Sequence, residues 1–360
     1  MRKALINLFG AATLIGVLAT AMAELPVNVW WIRFLDFPRL QITLWLGVAL
    51  TIYILLRRAQ IGLGSVITLA GLVALGVQVT TLWAFQPIAA QMVPTVLRCE
   101  PDDTLRVLVT NVQRSNRHDT QVIDMARTHA PDVFIVMETS DWWDDALAPL
   151  QDDFAYSEQV SQRTPDHYGM QVYAQHPFSR AAFDYPLNSD TPMFDGRLEH
   201  PARPVHLLGV HPRPPHYDNG GQASTMRDAT VLHAATLARD SDAISVIAGD
   251  FNATPWNDTT RMALRIGGLV DPRVGRGPMN NYKAGSDYMR WPLDQVLLQP
   301  GPGLLNMQIL PPVGSDHQPV LVDLCLSPLM PANTIPLRDG DLDAAQDTFD
   351  RARALQAREG

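Results

Sequence analysis

Three long apolar stretches crowd into the start of the chain, at residues 4–23, 40–56 and 61–85, and none of them contains a charged side chain. Each is close to the roughly 20 residues that an α-helix needs to cross a hydrocarbon core. Buried helices of soluble domains rarely lack charge over such a length. The sequence therefore predicts three transmembrane helices. The first stretch follows Met1-Arg2-Lys3 and ends in Ala21-Met22-Ala23, which also fits a cleaved secretory signal. Because two more spans follow, an uncleaved anchor is the expected state. The flanking basic residues set the orientation. Arg2, Lys3, Arg57 and Arg58 fall on one side of a three-span chain, against Arg33, Arg39 and Arg98 on the other. That bias puts the N-terminus inside and everything after Phe85 outside. Trp30, Trp31 and Trp83 fall near span ends, where amphipathic rings prefer to sit. The expected location is the bacterial plasma membrane, with the soluble part extracytoplasmic.

Charge separates the two parts of the chain. The first 99 residues hold seven basic and two acidic side chains, and the remaining 261 hold 21 basic and 35 acidic ones, a balance of -14. A surface that acidic is a poor general ligand for nucleic acid, whose affinity rests on neutralised phosphates. No protein partner is implied.

After a Pro-containing connector at 86–101, β-branched runs alternate with helical patterns. Strands are expected at 105–110, 133–137, 171–174, 205–210, 243–248, 294–298 and 319–326, with helices near 120–129 and 223–240. That order predicts an α/β domain, 102–326, with a mixed sheet, because several connections are short. The tail, 327–360, begins Pro-rich and continues as a charged helical pattern over 342–358 without a deep apolar face, and reads as a peripheral appendage.

Polar residues recur where these strands end. Asn111 closes LRVLVT, Glu138 closes VFIVM, and His211 closes PVHLLGV. Asp250 and Asn252 close AISVIAG, Asp294 opens DQVLL, and Ser315-Asp316-His317 precedes the last strand. A strand points side chains i and i+2 the same way, so Asp250 and Asn252 in GDFNATPWN should share a direction; a plain turn is the alternative. Taken together these ends carry the carboxylates and amides that suit a hard cation such as Mg²⁺ and the imidazoles that move protons or stabilise charge. The pattern points to a metal-assisted hydrolase.

The ordered set Asn111, Glu138, His211, GDFN at 249–252, Leu293-Asp294 and GSDH at 314–317 resembles the endonuclease/exonuclease/phosphatase superfamily of DNase I-like enzymes, from about 105 to 326. HPRPP at 211–215 and ATPW at 253–256 are similar to its membrane-tethered bacterial branch. The resemblance implies a four-layer sandwich of two mixed β-sheets flanked by helices, preceded by the transmembrane helices. It implies metal ligation, Mg²⁺ or Mn²⁺, by Glu138 with Asn111 and Asp316. Asp250 and Asn252 would place the attacking water and hold the phosphate, Asp294 would orient His317, and His317 and His211 would stabilise phosphoryl charge. Tyr168 and Arg213 are candidates for substrate contact. The chain departs from the family at Arg290-Trp291-Pro292, where an arginine usually sits directly at the Leu293-Asp294 motif, and at Asn281-Tyr282, which only loosely fills the place of a threonine–tryptophan pair. If the first and last strands run antiparallel side by side, as the family implies, Cys99 and Cys325 meet at the end opposite Asn111 and His317. They would then form a disulfide, the alternative being two buried thiols. The implied function is a membrane-anchored, metal-dependent phosphoester hydrolase acting on a lipid-linked phosphate or phosphodiester. The alternatives are an extracytoplasmic nuclease and a catalytically silent membrane scaffold.

Overall fold

In the computed structural model, residues 1–57, 62–160, 169–187, 191–215 and 224–359 are described. The chain divides into two compact units, Met1–Ala89 with Pro215–Ser224, and Ala90–Pro214 with Thr225–Gly360. The first unit contains helices α1 (Arg2–Ala23), a short α2 (Trp30–Arg33), α3 (Arg39–Arg57) and α4 (Leu63–Leu82). Three helices of this unit are long and apolar enough to cross a membrane. They approach closely where side chains are small. A methyl group added at Gly71 would stand 2.8 Å from Leu50 Cδ1 and 2.9 Å from Thr13 Cγ2. Helices in lipid gain little from excluding water and associate through such close packing and interhelical hydrogen bonds. One such bond runs from Gln78 Nε2 to Thr20 Oγ1, 3.0 Å. Arg39 is buried and neutralised by Asp36 and Glu24, at 2.8 and 2.6 Å.

The second unit begins with β1 (Thr104–Asn111), α5 (Asp119–His129), β2 (Val133–Thr139) and α6 (Asp141–Ala146). Then come β3 (Tyr156–Val160), β4 (Gly169–Ala174), β5 (Phe178–Asp184), β6 (Met193–Glu199) and β7 (Pro204–Val210). The remainder is α7 (Thr225–Asp240), β8 (Ile244–Asp250), α8 (Asp258–Ile266), β9 (Asp294–Leu298), β10 (Gly303–Ile309), β11 (Val320–Cys325) and α9 (Asp341–Glu359). One sheet has the order β10-β11-β1-β2-β4-β3 and the other β5-β6-β7-β8-β9. Both are mixed: β1 and β2 are parallel, as are β7 and β8, and the remaining neighbours are antiparallel.

Side-chain alternation builds the layers. Leu108, Phe134 and Val136 face outward and are covered by Val122, Ala126 and Trp143 of α5 and α6. Leu208, Ile247 and Leu297 face outward from the other sheet, under Val231, Ala235 and Leu264 of α7 and α8. The intervening strand positions point between the sheets, where an added methyl at Gly209 would lie 3.9 Å from Ile135 Cγ2. The result is the expected α/β arrangement of helices, sheet, sheet and helices. Each fully buried Leu, Val or Phe stabilises it by about 1.5–3 kcal/mol.

Four strands and two helices of the second unit were not legible in the sequence. β3 and β5 lie at sheet edges and their residues are largely exposed or half-buried, so they carry no apolar run. β6 is interrupted by the buried Asp195 and by Gly196, and β10 lies at the edge of its sheet next to β11. α6 and α8 are short, and α8 is capped by Asn257, whose side chain accepts from Thr259 N at 3.0 Å. The tail also differs from the appendage expected. Ala345, Phe349 and Ala352 form a narrow stripe on α9 that joins the cores around α7 and α8. Arg265 and Asp341 form a buried ion pair beside it, 2.7 Å apart. Two alanines and one phenylalanine are too slight an apolar signal to stand out on a charged helix.

Candidate active site

Strand register brings the polar strand ends to one edge. Asn111 pairs with Met137 in the parallel β1–β2 ladder, so Asn111 and Glu138 leave their strands side by side. Val210 pairs with Gly249 across β7–β8, and Asp250 pairs with Asp294 across β8–β9, which aligns His211, Asp250 and Asp294. β11 runs antiparallel to β1 with Val320 opposite Val109, returning His317 to the Asn111 end. The sheets meet here, where Asp250 N donates to Met137 Sδ at 3.0 Å.

Local backbone then aims the side chains. The β2–β4 register shifts between Met137 and Thr139, and the residue extruded is Glu138, with a φ of 59°. A bulge of this kind re-aims one side chain out of the ladder. Asn111 Nδ2 donates to Glu138 Oε1 at 2.8 Å and to Asp250 Oδ2 at 3.3 Å, while its Oδ1 accepts from Gln113 N. Arg114 N donates to Glu138 Oε2, 3.3 Å. His211 is buried, with Nε2 3.8 Å from Asp250 Oδ2 and 4.0 Å from Glu138 Oε1.

Asp250 and Asn252 do not share a strand. β8 ends at Asp250, and Asn252 lies beyond it with a φ of 47°. Their relation is a hydrogen-bonded turn, in which Asn252 N donates to Asp250 Oδ1 at 2.8 Å. An aspartate bonding its own backbone two residues on is a standard way to close a turn. Asn252 Nδ2 donates to Pro212 O at 3.0 Å, tying this turn to the one after His211.

Asp294 and His317 form a buried pair, Oδ2 to Nδ1, 2.7 Å. His317 Nε2 faces Asp250 Oδ2 at 3.6 Å. Burial works against charge on the imidazole, but the Asp294 and Asp250 carboxylates outweigh it and raise His317 to about 10. Burial also raises Asp294, with His317 opposing the shift. His317 is therefore the protonated member of the pair at neutral pH. Asn281 completes the arrangement: its Nδ2 donates to Asp294 Oδ2, and its Oδ1 accepts from the backbone N–H groups of Leu293 and Asp294 at 3.0 and 3.2 Å. The Tyr282 ring lies 4.7 Å from that of His317.

Asp250, Asp294 and His317 offer ligand atoms within 4.8 Å of one another, a spacing that suits a cation. His317 already directs Nδ1 to Asp294 and Nε2 toward Asp250, however. The donor chemistry fits a hard ion better beside the Glu138 and Asp250 carboxylates, where Asn111 would add an oxygen on turning its amide over from Gln113 N. Asp316 is half-buried; burial raises its carboxyl, His317 opposes, and Glu138 and Asp250 add to the rise. Mutual repulsion among these carboxylates is what a bound cation relieves, and among the described residues no Lys or Arg forms an ion pair with Glu138 or Asp250.

The structure thus brings together Asn111, Glu138, His211, Asp250, Asp294 and His317, with Asn252 and Asp316 at the margin. Tyr168 lies outside the described residues. Arg213 is half-buried two residues beyond His211. Arg290 turns to Asn280 O, 3.2 Å, and to Gln318 Oε1, clasping two loops. At the far end of β1 and β11, Cys99 and Cys325 are joined in a disulfide with their Cα atoms 5.7 Å apart. Sequence reasoning gave Asn281 no role at Asp294; its spacing before the Leu293-Asp294 pair was the available signal.

Residues 108–317 match the family model described as Endonuclease/Exonuclease/phosphatase family. Among solved structures, D. rerio TDP2 humanized by 14 mutations is similar with a TM-score of 0.50 and 13% identity, over 62% of this chain and 99% of that one. D. rerio TDP2 complexed with single-strand DNA product is similar with a TM-score of 0.50 and 15% identity, over 61% of this chain and 98% of that one. At these identities the likeness is one of fold. No curated protein matches the sequence.

Proposed function

Since the chain belongs to the endonuclease/exonuclease/phosphatase family and is a phosphoesterase, we propose that it hydrolyses a lipid-linked phosphate ester or diester at a membrane surface, using Mg²⁺. The observation that carries the chemistry is the convergence of Asn111, Glu138, His211, Asp250 and the Asp294–His317 pair at one edge of the two sheets. Phosphoryl transfer needs in-line placement and charge neutralisation more than covalent help. Glu138 and Asn111 are the residues that would hold the cation, with Asp316 as a further oxygen ligand; when bound it supplies positive charge to the phosphoryl oxygens.

The chain's own groups supply the rest. Asp250 Oδ1 is engaged by Asn252 N–H, and Oδ2, which accepts a long 3.3 Å bond from Asn111 Nδ2, orients a water and accepts its proton. The water oxygen bonds to phosphorus as the bond to the leaving oxygen breaks. His317 donates Nε2–H to a phosphoryl oxygen and is held by Asp294 through Nδ1. His211, whose Nε2 lies 3.8 Å from the same Asp250 Oδ2, supports charge beside it. Asn252 fixes the turn, and Arg213 is placed to contact the substrate beyond His211.

The lipid assignment draws on the three apolar helices in the same chain and on the 35 acidic against 21 basic residues after residue 99. Tethering raises the local concentration of a substrate that itself resides in the membrane. The basic residues flanking the spans favour a catalytic part, 102–326, on the extracytoplasmic side. The test is turnover by the full chain in detergent with Mg²⁺, offered lipid phosphates, lipid pyrophosphates and DNA. Lipid turnover with shallow salt dependence is expected. DNA cleavage that falls steeply between about 50 and about 200 mM salt would replace the lipid reading with a nuclease.

A further inference from the structure

The first turn of α7 carries a guanidinium that the chemistry above does not use. Arg227 is 2% exposed. Its Nε and Nη2 donate to Asp228 Oδ1 at 2.9 and 2.6 Å, and its Nη1 donates to the backbone carbonyl of Asn252 at 3.1 Å. Asn252 is the left-handed residue of the turn that also holds Asp250 Oδ1 and, through its amide, Pro212 O.

We propose that Arg227 is a positioning residue for hydrolysis, acting through the Asn252 carbonyl to hold Asp250 and the backbone beside His211 in reactive geometry. Asparagine tolerates the left-handed conformation better than most residues, so the position of this turn is fixed by its hydrogen bonds and not by backbone preference alone. Burying a guanidinium is costly, and an apolar side chain of similar volume fills such a space without that cost. What the guanidinium adds is a directed, charge-assisted hydrogen bond to one carbonyl. Its base is rigid: Met226 and Ala229 sit in one buried cluster, and Val231, Leu232, Ala234 and Ala235 in another. The next residue of the turn is held as well, by Gln295 Nε2, which donates to Ala253 O at 2.6 Å. Arg227 and Gln295 therefore hold consecutive carbonyls of the segment that follows Asp250.

The inference rests on the role given above to Asp250 and His211, and its test separates the two. The full chain in detergent with Mg²⁺ is assayed on bis-p-nitrophenyl phosphate as native protein, as Arg227→Lys, and as Arg227→Met with Asp228→Leu. Hydrogen exchange of the 249–257 backbone is followed in parallel. For Arg227→Lys, kcat should fall about 10- to 100-fold with KM within about threefold, since small misplacements of reacting groups cost rate rather than binding. Exchange at Phe251–Ala253 should quicken while β1 is unchanged. The double variant replaces the ion pair by apolar volume and should keep native thermal stability without recovering kcat. Native kcat and native exchange in that stable double variant would overturn the proposal, as would losses that track only the unfolded fraction. If the native protein does not cleave the probe but the exchange response is present, the hold on the turn stands and the hydrolase reading falls.

Discussion

Glu138 shows how one residue can be both readable and hidden. Its position after VFIVM marks it as a strand-end carboxylate, but the bulge and the φ of 59° that aim it at Asn111 depend on the neighbouring strand β4. Replacing Glu138 with Gln keeps its size and removes the charge that suits a hard cation. Hydrolysis should drop at least about 100-fold, with partial recovery when Mg²⁺ is raised. A Mg²⁺ titration of initial rates checks this, and unchanged turnover at limiting Mg²⁺ would remove Glu138 from the ligand set. For the pair behind it, His317→Ala should cost about 100-fold or more, and Asp294→Asn somewhat less. The double variant should be little worse than His317→Ala, because Asp294 acts through the imidazole. Losses that multiply fully would mean that the two act separately. Asn281 stayed unassigned because a loop asparagine is ordinary until its amide is found on Asp294.

Elements align the site through two parallel pairs. Gly249, with a φ of 148°, sits where a Cβ would stand 1.9 Å from Val210 O. The three atoms nearest that Cβ all belong to the Val210 backbone, so no side chain can yield. Gly249→Ala should destabilise the domain by more than about 2 kcal/mol, read by denaturant unfolding, and weaken activity by parting β7 from β8. Further along the same sheet, Asp195 on β6 is 3.0 Å from His206 on β7 and also meets Arg180 at 3.0 Å. The hydrogen bond from His206 lowers the Asp195 pKa, with burial opposing and Arg180 assisting. A depressed carboxyl contributes stability above its unfolded value near 3.9, and that stability is lost as pH falls through the folded value. As pH falls below about 4, the unfolding free energy should therefore drop more steeply with pH in the native protein than in Asp195→Asn. Equal slopes would show that the pair is not linked to folding. Strands such as β2 and β8 were legible because both faces are buried and their apolar runs are continuous. β3, on an edge, carries no such run.

At the scale of the whole molecule, the Cys99–Cys325 disulfide closes a loop with a sequence separation of 226 at the end of β11 away from His317. Chain-entropy reasoning sets its contribution at about 5 kcal/mol at most. Cys99→Ser with Cys325→Ser should lower the melting temperature while leaving kcat of the folded protein unchanged, because neither residue approaches the site. A melting curve that does not move would leave the bridge without a stabilising role. The sequence by itself determined the apolar helices, the α/β class and the order of polar residues at strand ends. These follow from composition and local periodicity, which each segment carries within itself. Tertiary structure decided which strands share a sheet, that α9 joins the core, that Asn252 belongs to a turn and not to a strand, and that Asn281 and Arg227 stand behind Asp294 and Asn252. Such contacts join segments far apart in sequence, and their hydrogen bonds leave no periodic trace in either partner.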